Sequence, residues 1–238
     1  MNSDKVAVVT GTSKGIGNAI CKSLLGEGWV VYGISRSKCK DFLNNDNFHQ
    51  LTFDLQDTNR LVEPVTKIPE KIDLIINNAG MWELALIKDV TAEHFDEIIN
   101  LNLKAPVLLT SLLLSRLRSG SCVINISSIM GVYTEPEYGV YATTKAGLDR
   151  FTTTLAKERK DLRVIGVLPS ATDTSANRDI LGDQEDYSKY LIPDEVAQVV
   201  LRVVNGEFKS GDLIVVNNRE FWKMWEERDT YKIIDVDN

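Results

Sequence analysis

The sequence predicts an α/β protein, a doubly wound parallel sheet of about seven strands with helices on both faces, in a single domain. Three observations predict it. Short Val- and Ile-rich runs alternate with longer amphipathic segments along the chain. Several of those runs are apolar at successive positions, as strands covered on both faces are. The spacing between runs leaves room for a crossover helix, and crossovers between parallel strands are right-handed.

The elements follow in order. Residues 5–10 (KVAVVT) read as the first strand and 15–27 as the first helix. The runs 29–34, 48–53 and 72–77 supply three more strands, with a helix over 57–67 between the last two. A long helical pattern covers 92–118, then a strand 122–127, a helix 139–159 and a strand 163–168. Pro193 with Asp194 and Glu195 opens a helix over 193–205, since proline suits the first turn and acidic groups favour its positive end. The strand 212–217 closes the series. Asp57 and Thr91 are candidate N-caps. The expected domain spans 1–217. It includes a polar stretch, 173–192, outside the strand–helix rhythm, as active-site lids often are. The tail 218–238 is expected to pack on the same domain or on a partner subunit.

Bulk properties narrow the function. The 238 residues suffice for one large core, and a net charge of −7 argues against a nucleic-acid partner. Cys21, Cys39 and Cys122 show no metal or redox spacing, which fits buried thiols in a reducing cytoplasm. No secretory leader and no membrane-spanning segment is expected. His49 and His94 are the only histidines, so neither a histidine-based triad nor a histidine metal site is expected.

The stretch VVTGTSKGIG places Gly11, Gly15 and Gly17 after the first strand and at the mouth of the first helix. Glycines there allow a tight turn and close backbone approach to a pyrophosphate, which the helix N-terminus attracts. Further on, NNAG (77–80) follows the fourth strand, Ser128 follows the fifth, and Tyr141 and Lys145 stand one helical turn apart. With its G-x-x-x-G-x-G spacing, this ordered set resembles the short-chain dehydrogenase/reductase family, from about residue 5 to 174 by motif and to about 217 by topology.

The resemblance implies a Rossmann-like fold and a nicotinamide dinucleotide cofactor held by the turn Gly11, Thr12, Ser13, Lys14, Gly15, Ile16 and Gly17. It adds Asp54 and Leu55 near the adenine, Asn78, Ala79 and Gly80, and Pro169, Thr172 and Thr174 at the nicotinamide. Ser170 stands where relatives carry glycine. The second strand ends in Ser35 and Arg36 with no carboxylate. Arg36 and Lys14 can pair with a 2′-phosphate, so NADP(H) is expected in preference to NAD(H).

The resemblance also implies a catalytic set of Ser128, Tyr141 and Lys145 assisted by Asn102, chosen over the neighbouring Asn100. Tyr141 would give or take the substrate proton, its pKa lowered by the Lys145 ammonium and an oxidised nicotinamide. Ser128 would bond the substrate oxygen. Lys145 would also hold the nicotinamide ribose, and Asn102 a water leading from Lys145 to solvent. Met81, Trp82, Met130, Val132 and Tyr138 are candidate substrate contacts. The expected reaction is reduction of a small ketone or aldehyde, or oxidation of the alcohol, with 3-oxoacyl compounds within its range. The resemblance implies a homodimer or homotetramer built on the helices at 92–118 and 139–159, and LLTSLLLSRL (108–117), apolar over more than one helical face, fits a helix covered by the sheet and by a second subunit. The competing reading is a cofactor-binding sensor without turnover; an extended nucleotide-sugar epimerase would need a further domain.

Overall fold

The computed structural model describes residues 5–133, 135–217 and 232–235. Eight parallel strands form one sheet: β1 (Val6–Thr10), β2 (Val30–Ser35), β3 (Phe48–Thr52), β4 (Ile72–Asn77), β5 (Leu117–Ile126), β6 (Arg163–Pro169), β7 (Leu213–Asn217) and β8 (Lys232–Asp235). Their spatial order is β3-β2-β1-β4-β5-β6-β7-β8. The eighth strand, drawn from the tail, extends the sheet by pairing Ile214–Asn217 with Lys232–Asp235. The rest of the tail lies outside the described residues.

The alternation along each strand sorts the core. Ala7, Val9, Leu74, Ile76, Ile124 and Ile165 meet α1 (Gly15–Gly26) and α7 (Pro193–Val204) through Ile20, Leu24, Val196 and Val200. Val8, Ile75, Val123 and Val164 face the other way. They are covered by α2 (Val62–Val65), α4 (Ala105–Leu113) and α5 (Gly139–Glu158) through Val65, Leu109, Leu113 and Leu155. Strands apolar on both sides are thereby fully buried, which is the hydrophobic reason for the two-layer wrap.

Three expected boundaries move. The helix over 57–67 is a 3₁₀ turn, Thr58–Arg60, followed by the single turn of α2. Pro64 offers no N–H there, and the Thr66 hydroxyl bonds the Glu63 carbonyl at 2.8 Å. Asp57 makes no side-chain cap, whereas the Thr91 hydroxyl accepts from the His94 amide at 3.2 Å at the start of α3 (Ala92–Ile99).

The helical run beyond α3 ends at Arg116, not 118, and β5 begins at Leu117. Arg118 pairs with Asp73, the Ser121 hydroxyl donates to Ile72 O at 3.1 Å, and Gly120 turns with φ +88°. The run Ala92–Arg116 is long and apolar enough to cross a membrane by length and composition. In the fold it is a core helix, interrupted by a π-helical turn at Asn100–Lys104, with Ile98, Ala105, Leu109 and Leu113 packed inside.

The polar stretch 173–192 also carries structure, α6 (Ser175–Leu181) and a 3₁₀ turn at Tyr187–Lys189. A bridge between Thr172 and Leu191 closes it into a loop.

Strand order reverses direction between β1 and β4, so their C-terminal ends splay the following loops apart. A crevice at such a switch point is where open α/β sheets bind ligands.

Candidate active site

The crevice has two halves. The first, a cavity of about 370 Å³, is lined by Ser13, Lys14, Gly15, Ser35, Arg36, Asp54, Leu55 and Ala79. The second, of about 350 Å³, reaches Ser128, Tyr141, Lys145, Pro169, Ser170 and Thr172. Gly80, Asn78, Ile16 and Thr174 line both, so the two form one groove.

The glycine turn is shaped by steric need. Gly11 sits at φ +74°, and a Cβ on Gly17 would lie 2.2 Å from the Gly11 carbonyl oxygen. Thr12 is buried beneath the turn, its hydroxyl 3.3 Å from that of Ser35. Asn78 fastens the turn to β4. Its amide donates to Thr10 O at 2.9 Å, while the Thr10 hydroxyl accepts from Asn78 N and Ala79 N, each at 2.9 Å.

These residues fit a dinucleotide. The start of α1 carries no side-chain cap, leaving backbone N–H groups at the groove. At the far end Ser170 lines the cavity, and its buried hydroxyl oxygen has no hydrogen-bond partner. Its amide still bonds Val216 O at 2.8 Å, so serine in place of glycine leaves the strand pairing intact. Arg36 is exposed at the rim, and Lys14 lies 4.0 Å from Asp179 in an exposed pair. Asp54 accepts from Gln56 N at 3.0 Å. Thr174 caps α6 by accepting from Asn177 N at 3.3 Å, and its methyl packs on Gly15.

The polar centre assembles where β5 ends against α5. Ser128 and Tyr141 line the second half of the groove together, and the Ser128 oxygen accepts from Met130 N at 3.1 Å. Lys145 Nζ donates to the Ile126 carbonyl at 3.0 Å and stands 5.6 Å from the Tyr141 ring centre. Burial pushes the Tyr141 phenol up to about 12, with only the Ser128 hydroxyl opposing it. Among the protein's own groups desolvation dominates this phenol. Burial likewise brings Lys145 down to about 8, opposed by the Asp149 carboxylate.

Asn102, not Asn100, is the buried asparagine at this centre. Its side chain is fully engaged. Oδ1 accepts from Met81 N at 2.8 Å, while Nδ2 donates to Met81 O at 2.7 Å and to Thr144 Oγ1 at 3.2 Å. It therefore locks the loop after β4 onto α5, and its side chain has no hydrogen left to donate to a water. The π-helical turn that contains it is a known device for presenting such a side chain.

Around the second half, Met81, Trp82, Met130 and Tyr138 line the wall, with Tyr133 and Tyr190 beside them. Val132 does not line it; it packs on the small cluster of Ile129, Leu168 and Val215. Sequence reading missed Asn177, which accepts from the Trp82 indole at 2.8 Å, because no spacing links residues 95 apart. It also missed Asp149, although that carboxyl lies one turn beyond Lys145 on the same helix face. Asp149 is buried and is pushed up to about 7 by burial, with the Ser127 hydroxyl and the Lys145 and Arg150 charges opposing it.

Comparison with known proteins agrees with this geometry. Residues 5–185 match the family described as short chain dehydrogenase. The 3-oxoacyl-[acyl-carrier-protein] reductase of Thermotoga maritima is 29% identical, over 90% of this chain and 96% of that protein. The benzil reductase ((S)-benzoin forming) of Bacillus cereus is 30% identical, over 90% of this chain and 99% of that protein. A dehydrogenase/reductase crystal structure from Sinorhizobium meliloti superposes with a TM-score of 0.83 at 26% identity, covering 90% of this chain and 93% of the other. From strand order to glycine turn to the match along most of its length, the chain belongs to the short-chain dehydrogenase family.

Proposed function

We propose that this chain is an NADP(H)-dependent carbonyl reductase. The observation that carries the reading is that Ser128, Tyr141 and Lys145 line one cavity wall, with Lys145 Nζ 5.6 Å from the Tyr141 ring centre. NADPH, when bound, supplies the hydride that reduces the carbonyl carbon and leaves as NADP⁺. The rest falls to the protein. Ser128 and Tyr141 both point hydrogen-bonding capacity at one carbonyl oxygen, stabilising the charge that develops there. Tyr141 gives that oxygen its proton as the C=O π bond breaks, yielding a secondary or primary alcohol.

A phenol is protonated at neutral pH, which suits a proton donor. Lys145, with Nζ 5.6 Å from the Tyr141 ring centre, places an ammonium beside that phenol. Asn102 positions Met81 and Thr144 around it.

Preference for NADP(H) rests on Arg36 and Lys14, both lining the nucleotide half of the groove, with no carboxylate at the end of β2. A 3-oxoacyl thioester is one candidate class, since two relatives are named 3-oxoacyl-[acyl-carrier-protein] reductase and acetoacetyl-CoA reductase. A small diketone is another, as benzil reductase is named for one. Three free, buried cysteines suit a cytoplasmic enzyme. Leu108 and Leu112 of α4, 37% and 39% exposed, offer an apolar stripe for a second copy in a homodimer or homotetramer.

The test is consumption of NADPH and NADH with a panel of ketones, aldehydes and diketones, with Tyr141→Phe beside wild type. Wild type is expected to consume NADPH, and the variant to lose roughly 10²- to 10⁴-fold in rate. A variant as active as wild type refutes the proton-donor role. Binding of NADPH with no turnover by wild type favours a sensor instead.

A further inference from the structure

We infer that the substrate is an uncharged ketone or vicinal diketone carrying a flat aromatic ring beside its reacting carbonyl. This rests on the reductase reading and sharpens it. The first ground is the shape and stiffness of one wall. The Trp82 and Tyr138 rings stack at 5.4 Å with only 10° between their planes, and the Trp82 ring stands 6.5 Å from that of Tyr141. The indole is not free to swing. Its single N–H donates to Asn177 Oδ1 at 2.8 Å, and Asn177 Nδ2 donates in turn to Thr172 O at 2.7 Å. The one polar atom of the indole is thereby consumed, and what the cavity sees of it is a fixed aromatic surface beside the proton donor. Across the same cavity stands Met130, whose thioether packs well against aromatic carbon.

The second ground is charge. Among the residues lining this half of the groove, Lys145 is the one cation and Glu135 the one carboxylate. Lys145 is buried and already bonded to Ile126 O at 3.0 Å. Glu135 accepts from the Tyr133 hydroxyl, and Glu185 accepts from the Tyr190 hydroxyl at 3.0 Å. A carboxylate, a phosphate or a nucleotide thioester would enter past these acidic groups and, among the described lining residues, meet one cation, the buried Lys145, and like charge is an effective way to reject a competitor. An aromatic ring needs no counter-ion, and stacking on a fixed wall immobilises few rotatable bonds.

The experiment compares kcat/KM for 1-phenyl-1,2-propanedione, 2,3-hexanedione and acetoacetyl-CoA, with NADPH, in wild type, Trp82→Phe and Trp82→Leu. The ratio of the two diketones across variants cancels their intrinsic reactivities. Wild type is expected to favour the phenyl compound, and Trp82→Leu to reduce that ratio by about tenfold, the scale of one aromatic contact. Trp82→Phe should keep most of it. Titration calorimetry of 1-phenyl-1,2-propanedione without reduced cofactor reads the wall apart from turnover, with binding about tenfold weaker in Trp82→Leu.

A diketone ratio unchanged by Trp82→Leu, or acetoacetyl-CoA as the best substrate, overturns the inference and leaves the reductase standing. Calorimetric binding that depends on Trp82 with no turnover of any ketone supports the aromatic site and overturns the reductase reading. Neither binding nor turnover overturns both.

Discussion

Replacing Asp149 with asparagine should change how stability depends on pH. Asp149 is 7% exposed and sits in a crowded place. The Ser127 hydroxyl beyond β5 and the Lys145 and Arg150 charges of α5 favour its ionised form, and Gly131 of the following turn is so close that a Cβ there would lie 2.5 Å from Asp149 Oδ2. Its other oxygen has no hydrogen-bond partner. Burial holds the folded carboxyl near 7, against an ordinary value of 3.8. The unfolded chain therefore releases this proton about three pH units before the folded one does. Stability from the neutral carboxyl is fully present below about pH 4, falls as pH rises, and is gone above about pH 7. At about 1.4 kcal/mol per unit, the loss is roughly 4 kcal/mol.

Asparagine does not titrate, so its curve lacks this fall. Exposed acids such as Glu63, Asp161 and Asp173, held low by arginine partners, act in the opposite sense but equally in both proteins. Lys145 loses its supporting charge in the variant and falls below about 8, which makes the variant gain stability with pH and widens the same difference. The assay is urea unfolding of both proteins from pH 4 to 7.5. Wild type should lose roughly 4 kcal/mol relative to the variant across that range. Parallel curves would refute a buried, proton-holding Asp149.

Three further outcomes are expected. Asn125→Ala should cost roughly 2–4 kcal/mol in urea unfolding, because it removes the bonds from Asn77 Nδ2 and to Thr152 Oγ1, each 2.8 Å, from a buried chain that also includes Thr110; a loss under about 0.5 kcal/mol would show that the chain carries no net stability. Gly17→Ala drives a Cβ onto the Gly11 carbonyl and Asn78, and should weaken NADPH binding at least about tenfold while costing about 1–3 kcal/mol of stability; unchanged binding by fluorescence titration would mean the turn yields easily. Arg36→Glu should raise the NADPH KM by about tenfold or more and spare NADH; equal effects on the two cofactors would remove Arg36 from phosphate recognition.

Much of this protein is legible in one dimension. Doubly apolar strands such as LII at 74–76 report burial on both faces, because a residue's neighbours across a sheet follow from a period of two. The glycine turn and the Tyr141–Lys145 spacing are equally local: chain geometry over a few residues brings their atoms together. Boundaries were less legible where distant partners compete with local propensity. Leu117 and Arg118 continue a helical pattern, yet β4 recruits them through Leu117 pairing with Ile72 and Arg118 with Asp73.

The sequence by itself pointed to a parallel sheet of about seven strands, the glycine turn and the residues Ser128, Tyr141 and Lys145; the strand order, and with it the crevice at the switch point, came from the fold. The tertiary structure alone decided that Asn102 spends its amide on Met81 and Thr144, that Val132 leaves the wall to Tyr133, and that Trp82 is clamped by Asn177. It also decided that burial raises the Tyr141 phenol. Those outcomes depend on which side chains exclude water from one another across the folded chain, and desolvation has no counterpart in the spacing of letters.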